Sequence, residues 1–219
     1  GYEIIKFFNN NDFKHKGFNK NFENSQPRYT FRLNLNDSWD NIYGNFHPTT
    51  RKILNKNNPF SLEIYKGTQN DLNEFYVTML ETAKRENIVP SKIEYYETFY
   101  KVLNEHKMSD IYLVKADIEK LKKIYIDKIH FLEKEKTNLI DNKNQNLEKN
   151  KQKIETIEKQ IQKLQKENKI IQDIKEKELT LSSIITAKYN DMVWTIHGGN
   201  HTYLRELNAN YLIYEQIIK

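Results

Sequence analysis

Apolar and polar positions follow several distinct rhythms along this 219-residue chain, and each rhythm predicts an element. Residues 1–35 are aromatic and rich in Asn, with an apolar run from Ile4 to Phe8, a turn at Asn9-Asn10-Asn11 and Lys16-Gly17-Phe18. From Tyr29 to Leu35, after Pro27, apolar and polar residues alternate. That period of two predicts a half-buried strand.

Residues 36–116 change rhythm repeatedly, as an α+β segment does. Asp37 or Ser38 can cap a short helix carrying Trp39, Ile42, Tyr43 and Phe46. A second helical stretch follows Pro48 through Thr50-Arg51-Lys52-Ile53-Leu54, and Phe60 to Tyr65 reads as a strand ended by Gly67. Leu72, Phe75, Tyr76, Met79, Leu80 and Ala83 mark one face of a helix from about Asp71 to Asn87. Ser91 with Glu94 reads as a capping box for a helix bearing Ile93, Tyr96, Tyr100 and Leu103. Ile111 to Val114 is a short buried strand.

Residues 117–178 contain no Gly and no Pro and are mostly Lys, Glu, Gln, Asn and Ile. Leu147, Ile154 and Ile161 recur every seventh residue, with Ile157, Leu164 and Ile171 in the complementary positions and Asn168 where a register-fixing polar residue belongs. Ile118, Leu121, Tyr125, Leu132 and Leu139 continue the stripe before them, interrupted by Lys128, and Asp141 to Asn146 reads as a connector. The pattern predicts an antiparallel coiled-coil hairpin with arms of about 40 Å that buries one seam and projects from the body. Leu179–Tyr189 and Met192–His197 then read as two strands joined at Asn190-Asp191, with Gly198-Gly199 breaking the second. A last helix carries Tyr211, Leu212, Tyr214, Ile217 and Ile218. With the arm removed, Ile111–Ala116 runs into Leu179–Ala187 as a hairpin, so the arm is an insertion at a hairpin tip.

Composition narrows the chemistry. The absence of Cys excludes a disulfide framework and thiolate zinc, and it fits a reducing compartment. No apolar run is long enough to span a membrane, and no signal-peptide pattern opens the chain. The formal charge is +5, of which residues 117–178 hold +3, from 16 Lys against 13 Asp and Glu. Neither part is strongly basic. The chain opens without Met and its last helix ends without a stop signal, so it reads as a piece of a longer protein.

The order of motifs resembles the Fem family (FemABX) of peptidoglycan interpeptide-bridge aminoacyltransferases, in its coiled-coil-containing branch. The resemblance rests on Phe13-Lys-His-Lys-Gly-Phe18, Thr50-Arg-Lys-Ile53, Asp71-Leu-Asn-Glu-Phe-Tyr76 and Ile111-Tyr-Leu-Val-Lys-Ala116. The charged arm, Trp194-Thr-Ile-His-Gly-Gly-Asn200 and Leu207-Asn-Ala-Asn-Tyr-Leu212 complete it. It implies an incomplete acetyltransferase-like (GNAT-type) α+β domain with an inserted antiparallel coiled-coil hairpin. Residues 1–35 would end a first such domain, 36–116 and 179–219 would form a truncated second one, and 117–178 would be the arm.

The resemblance also implies a reaction: transfer of an amino acid, glycine or another small residue, from aminoacyl-tRNA to the stem or bridge peptide of a peptidoglycan precursor. Its partners would be the aminoacyl-tRNA and a nucleotide- or lipid-linked precursor, in the cytoplasm and in peripheral proximity to the membrane. A homo- or heterodimer with a related Fem protein stays open, and the isolated fragment is expected to be inactive. No cofactor or metal is implied. One Gly pair is too little for a phosphate-cradling acetyl-CoA loop.

Residue by residue, Arg51 stands where the family has a Thr-Arg-Arg pattern and is the expected phosphate contact, because its fork donates two hydrogen bonds. Lys52 replaces the second Arg, keeping charge and losing the fork. The competing reading for both is a solvated basic helix face. Tyr95 and Tyr96 fall where similar proteins place an aromatic pair near the acceptor pocket. The competing reading is core packing, which suits Tyr96 better than Tyr95. His197 to Asn200 read either as a cleft-lining turn or as a plain turn with positive φ. The donor ester is already activated, so positioning of a neutral amine can carry the reaction. His197, His201 and Glu215 are the nearby suggestions for a general base, each with a structural alternative. The arm is the expected tRNA contact, against the alternative of a solvated coiled coil. Two other functions compete with the aminoacyltransferase: a coiled-coil interaction or structural protein, and a small-molecule acetyltransferase.

Overall fold

The computed structural model describes residues 31–55, 60–141 and 147–219, without the side chains of 147–149. The chain divides into two compact units, Gly1–Asp37 and Ser38–Lys219. In the first unit only residues 31–37 are described, and they hold no helix or strand. The strand expected over Tyr29–Leu35 is therefore absent from its described part, where Phe31 is fully exposed. Alternation alone does not make a strand; it needs a hydrogen-bonded neighbour, and none of the described residues supplies one. The expectations for Ile4–Phe8, residues 9–11, 16–18, Pro27 and the connector at 142–146 lie outside the described residues.

The second unit mixes helices with an antiparallel sheet, as the α+β pattern implies. Helix α1 (Trp39–Gly44) starts where the Ser38 hydroxyl accepts the Asn41 N–H at 3.3 Å. Helix α2 (Pro48–Leu54) has its proline at the first turn, where a missing N–H costs nothing. Strand β1 (Glu63–Gly67) begins later than expected because Ser61 adopts positive φ. A single 3-10 turn (Gln69–Asp71) leads into α3 (Leu72–Glu86), which ends on left-handed Asn87. Helix α4 (Ile93–Glu105) begins after Lys92, not Ser91. The expected capping box is thus one residue out of register, and Ser91 hydrogen-bonds Tyr96 instead.

Strand β2 (Ile111–Asp117) runs directly into α5 (Ile118–Asp141); α6 (Leu147–Gln172) returns, and β3 (Glu178–Tyr189) follows. Strand β4 (Met192–Asn200), a 3-10 turn (Arg205–Leu207) and α7 (Ala209–Ile218) complete the unit. The sheet order is β1-β2-β3-β4, antiparallel throughout. Asp117 pairs with Glu178, so the two arm helices leave from the end of one ladder.

Side-chain alternation sorts the core to the two faces of the sheet. On one face Leu72, Phe75, Tyr96, Tyr100, Ile111, Leu113 and Ile185 pack beneath α3 and α4. On the other, Val114, Ala116, Leu181 and Ile184 meet Ile118, Leu121, Tyr125 and Ile171 of the arm and Ile213 of α7. Leu80, expected in the core, is 41% exposed, while Thr78 is buried and hydrogen-bonds the buried Ser183 at 2.5 Å.

Gly198 and Gly199 do not break β4; they pair with Ile184 and Ser183 inside the ladder, and neither has positive φ. Gly199 is required for a different reason. A Cβ there would lie 2.4 Å from the Thr78 carbonyl carbon and 2.6 Å from the Met79 nitrogen, so α3 crosses the strand at backbone contact.

The arm helices run antiparallel: the Tyr125 hydroxyl donates to Glu167 at 2.9 Å, and further out Lys136 meets Glu158 at 2.6 Å. Ile129, Ile157 and Ile161 form a separate seam with Leu132, Leu139 and Leu164. The single projecting seam needs correction at its base, where the first turns of α5 belong to the core of the body. Lys128 interrupts the stripe because its ammonium sits 3.6 Å above the Phe60 ring, a cation–π contact.

Candidate functional site

Helix α4 presents its first two turns to the end of β4. Tyr95, Tyr96 and Phe99 share one face of that helix, and all three rings close edge-on around His197, at centroid distances of 5.5, 5.1 and 5.3 Å and interplanar angles of 83°, 88° and 78°. Tyr96 is buried and packs edge-on against Phe75, so it is wall; Tyr95 is 45% exposed, and its hydroxyl lies 3.3 Å from His197 Nε2. Burial lowers the His197 pKa below the ordinary histidine value, so the imidazole is neutral at pH 7. Burial also raises the Tyr96 phenol, more than its hydrogen bonds to Ser91 lower it. An exposed tyrosine hydroxyl backed by a neutral imidazole can donate to a carbonyl or accept from an amine.

His201 and Glu215, the other suggested bases, are engaged differently. His201 Nε2 lies 3.4 Å from a Glu81 oxygen, and the second Glu81 oxygen accepts the Thr202 N–H at 2.6 Å. Burial lowers the His201 pKa against the opposing pull of Glu81, and its Nδ1 has no hydrogen-bond partner among the described residues. Glu215 pairs with Lys219 at 2.7 Å across one turn of α7.

Arg51 and Lys52 lie elsewhere. Helix α2 packs against α7, on the sheet face opposite α4. The Arg51 guanidinium donates to the Gly44 carbonyl at 2.8 Å, closing the end of α1, and Lys52 is exposed. The structure thus joins Tyr95 and Tyr96 with His197, keeps Arg51 beside Lys52, and separates the two pairs by the sheet. Phe99 was missed, although its spacing of four from Tyr95 and three from Tyr96 marks a shared helix face.

A cleft of about 620 Å³ opens where β4 ends, lined by Leu181, Asn200, Tyr203, Arg205, Asn208 and Tyr211 among others. Alternation along β4 sets it apart from the ring cluster. His197 faces α4, Gly199 faces α3, and Gly198 faces Ile184 on the other side of the sheet. Asn200 shares the side of Gly198. Among the described residues no cluster of three or more His, Asp or Glu could hold a metal ion. No described helix is long and apolar enough to cross a membrane.

Comparison with known proteins follows this architecture. The fold is similar to a crystal structure of FemX, at a TM-score of 0.61 and 18% identity, over 100% of this chain and 56% of that one. At that identity the likeness is one of fold, and the chain spans about half the length of the FemX chain. No curated protein matches the sequence. The model of the FemAB family matches residues 2–219, across sheet, flanking helices and arm in one stretch, and the chain belongs to that family.

Proposed function

We propose that the chain is part of an aminoacyltransferase of cell-wall synthesis, built on an acetyltransferase-like fold with an inserted coiled-coil arm. It moves an amino acid from aminoacyl-tRNA to an amine on the stem or bridge peptide of a peptidoglycan precursor, in the cytoplasm. The observation that carries this reading is the FemAB match over residues 2–219. The chemistry supports it: the donor ester is activated before it arrives, so the protein has to hold amine and ester in contact and manage one proton. Tyr95, exposed and hydrogen-bonded to a neutral His197, is suited to the acceptor side. Lys52, with Arg51 behind it, is suited to a phosphate of the precursor.

The test is transfer of labelled amino acid by the full-length protein of which this chain is part, from a panel of charged tRNAs to a nucleotide-linked precursor pentapeptide; the 219 residues alone are expected to be inactive. Transfer from at least one tRNA is expected, reduced about tenfold by Tyr95→Phe, the worth of one hydrogen bond. Inactivity with every charged tRNA overturns the reading.

A further inference from the structure

The strand end that forms one side of the cleft is held by a single face of α3. Thr78, Glu81, Thr82 and Arg85 are spaced three and four apart along that helix, so they share a face. Thr78 lies at backbone contact with Gly199. The Asn200 N–H donates to the Thr82 hydroxyl at 2.9 Å, and the Arg85 guanidinium donates to the Asn200 carbonyl at 3.4 Å. The last bond to β3 runs from the His201 N–H to the Leu181 carbonyl at 2.8 Å. Beyond it the chain leaves the sheet, and it is next anchored in the core at the buried Leu204. Between those anchors Thr202 and Tyr203 line the cleft. Glu81 ties them to α3, with one carboxylate oxygen on the Thr202 N–H at 2.6 Å and the other 3.4 Å from His201 Nε2.

The His201 side chain is only 12% exposed, so its protonation decides how firmly this strap is held. The neutral tautomer that donates to Glu81 carries its proton on Nε2, which leaves Nδ1 a bare acceptor. Nδ1 is buried without a hydrogen-bond partner among the described residues. A second proton would put an N–H there with no acceptor, and a charge out of water, both costly. Among the described residues, α3 presents Glu81 to the ring, and its carboxylate favours the charged form. Arg85, on the same face, is turned to Asn200 and Glu86. The strap presents the Tyr203 ring, 6.1 Å away between centroids, and β3 presents the Leu181 carbonyl, already bonded to the His201 N–H. Burial outweighs Glu81, so the pKa of the held imidazole lies below the ordinary histidine value. We propose that Glu81 and His201 form a latch that holds the cleft wall at Thr202 and Tyr203 against α3 at neutral pH and releases it in acid. A released histidine, in water, binds its proton near pH 6.5, so the latch is closed above about that value and opens progressively below it. Opening moves one wall of the cleft and leaves Leu204 and the ladder in place, whatever ligand the cleft takes.

The experiment follows the His201 imidazole and the Thr202 amide in the full chain by NMR between about pH 7.5 and 5.5, with exchange rates corrected for the pH dependence of free amides. His201 should titrate below about pH 6.5, and protection of the Thr202 amide should fall up to about tenfold across that range, the limit for one proton. The fall should be insensitive to low denaturant, because a local opening exposes little surface. His201→Gln, which keeps a donor for Glu81 and cannot titrate, should hold Thr202 equally well at both ends of the range. Glu81→Ala should speed exchange at Thr202 about 10- to 100-fold already at neutral pH, the worth of a hydrogen bond to a charged group. Unchanged Thr202 protection across the range in the wild type, or the same fall in His201→Gln, overturns the proposal. So does exchange that follows Leu113 of β2 step for step through denaturant, which is unfolding of the whole unit.

Discussion

At the base of the arm, Ile118, Leu121 and Tyr125 of α5 and Ile171 of α6 are buried together with strand and α7 residues. Further out, Ile129, Ile157 and Ile161 cluster with Leu132, Leu139 and Leu164 of the two arm helices, while Phe131 and Ile140 are 68% and 56% exposed. The same two helices therefore live in two environments, one three-dimensional core and one narrow seam. The difference teaches that the arm is anchored by burial at one end and held elsewhere by pairwise contact. Its outer part can change without disturbing the sheet; its inner part cannot.

The largest expected effect tests that asymmetry directly. Leu121→Ala should cost the whole unit about 4 kcal/mol and Ile157→Ala about 2, read as shifts in denaturant midpoint. Equal costs would break the distinction. Next, removing residues 133–158 and joining the helices by a short turn should leave the sheet folded, whereas removing 117–178 takes Leu121, Tyr125 and Ile171 with it and should abolish folding. Amide exchange in β2 and β3 reads both, and sheet protection surviving the larger deletion would show the base is not core. Tyr125→Phe should cost about 1.5 kcal/mol. Burial and the adjacent Glu167 hold the phenol protonated, so it donates to that carboxylate. Lys136→Ala, outside the core, should cost no more than about 0.5 kcal/mol, since its pair with Glu158 is partly exposed.

Acid separates the regions by a different route. The pKa values of His197 and His201, both in the body, are lowered by burial. The unfolded chain then binds their protons more readily than the native one, so stability is full above about pH 6.5, the ordinary histidine value, and falls as pH drops below it. His197 faces Tyr95, Tyr96 and Phe99, and His201 faces Glu81, whose carboxylate reduces the effect there. His197→Phe should flatten the melting temperature between pH 7 and pH 5; an unchanged slope would mean other groups carry it.

Much of this was legible in the sequence because it depends on local periodicity. The apolar faces of α3 and α4, the Pro48 helix start, the β2–β3 hairpin and the arm between its strands all follow from spacing. What was not legible depends on residues far apart in the chain. Gly198-Gly199 reads as a strand break until Thr78, far earlier in the chain, is found against Gly199. Thr78 looks solvent-facing until Ser183 meets it, and Lys128 looks like a flaw in a heptad until Phe60 lies under it. Ser91-x-x-Glu94 is a correct capping signature displaced by one residue, because the Tyr96 hydroxyl claims the serine. Of the site, Tyr95 and Tyr96 were visible as an aromatic pair, but their partner His197 comes from another strand. Arg51 and Lys52 were visible as cations, with nothing in the sequence to say that the sheet stands between the two pairs.

The direct passage from β2 into α5 has a mechanical consequence. Asp117 closes the ladder and Ile118 opens the helix, with the Ile118 N–H bonded to the Lys177 carbonyl across the pair, so no slack is built into the joint. Over its 24 residues α5 is a lever about 36 Å long. A rotation of about 5° at the sheet carries its tip about 3 Å. Load applied to the tip arrives at β2 and β3 as torque, and β3 is the strand that pairs with β4, which bears His197.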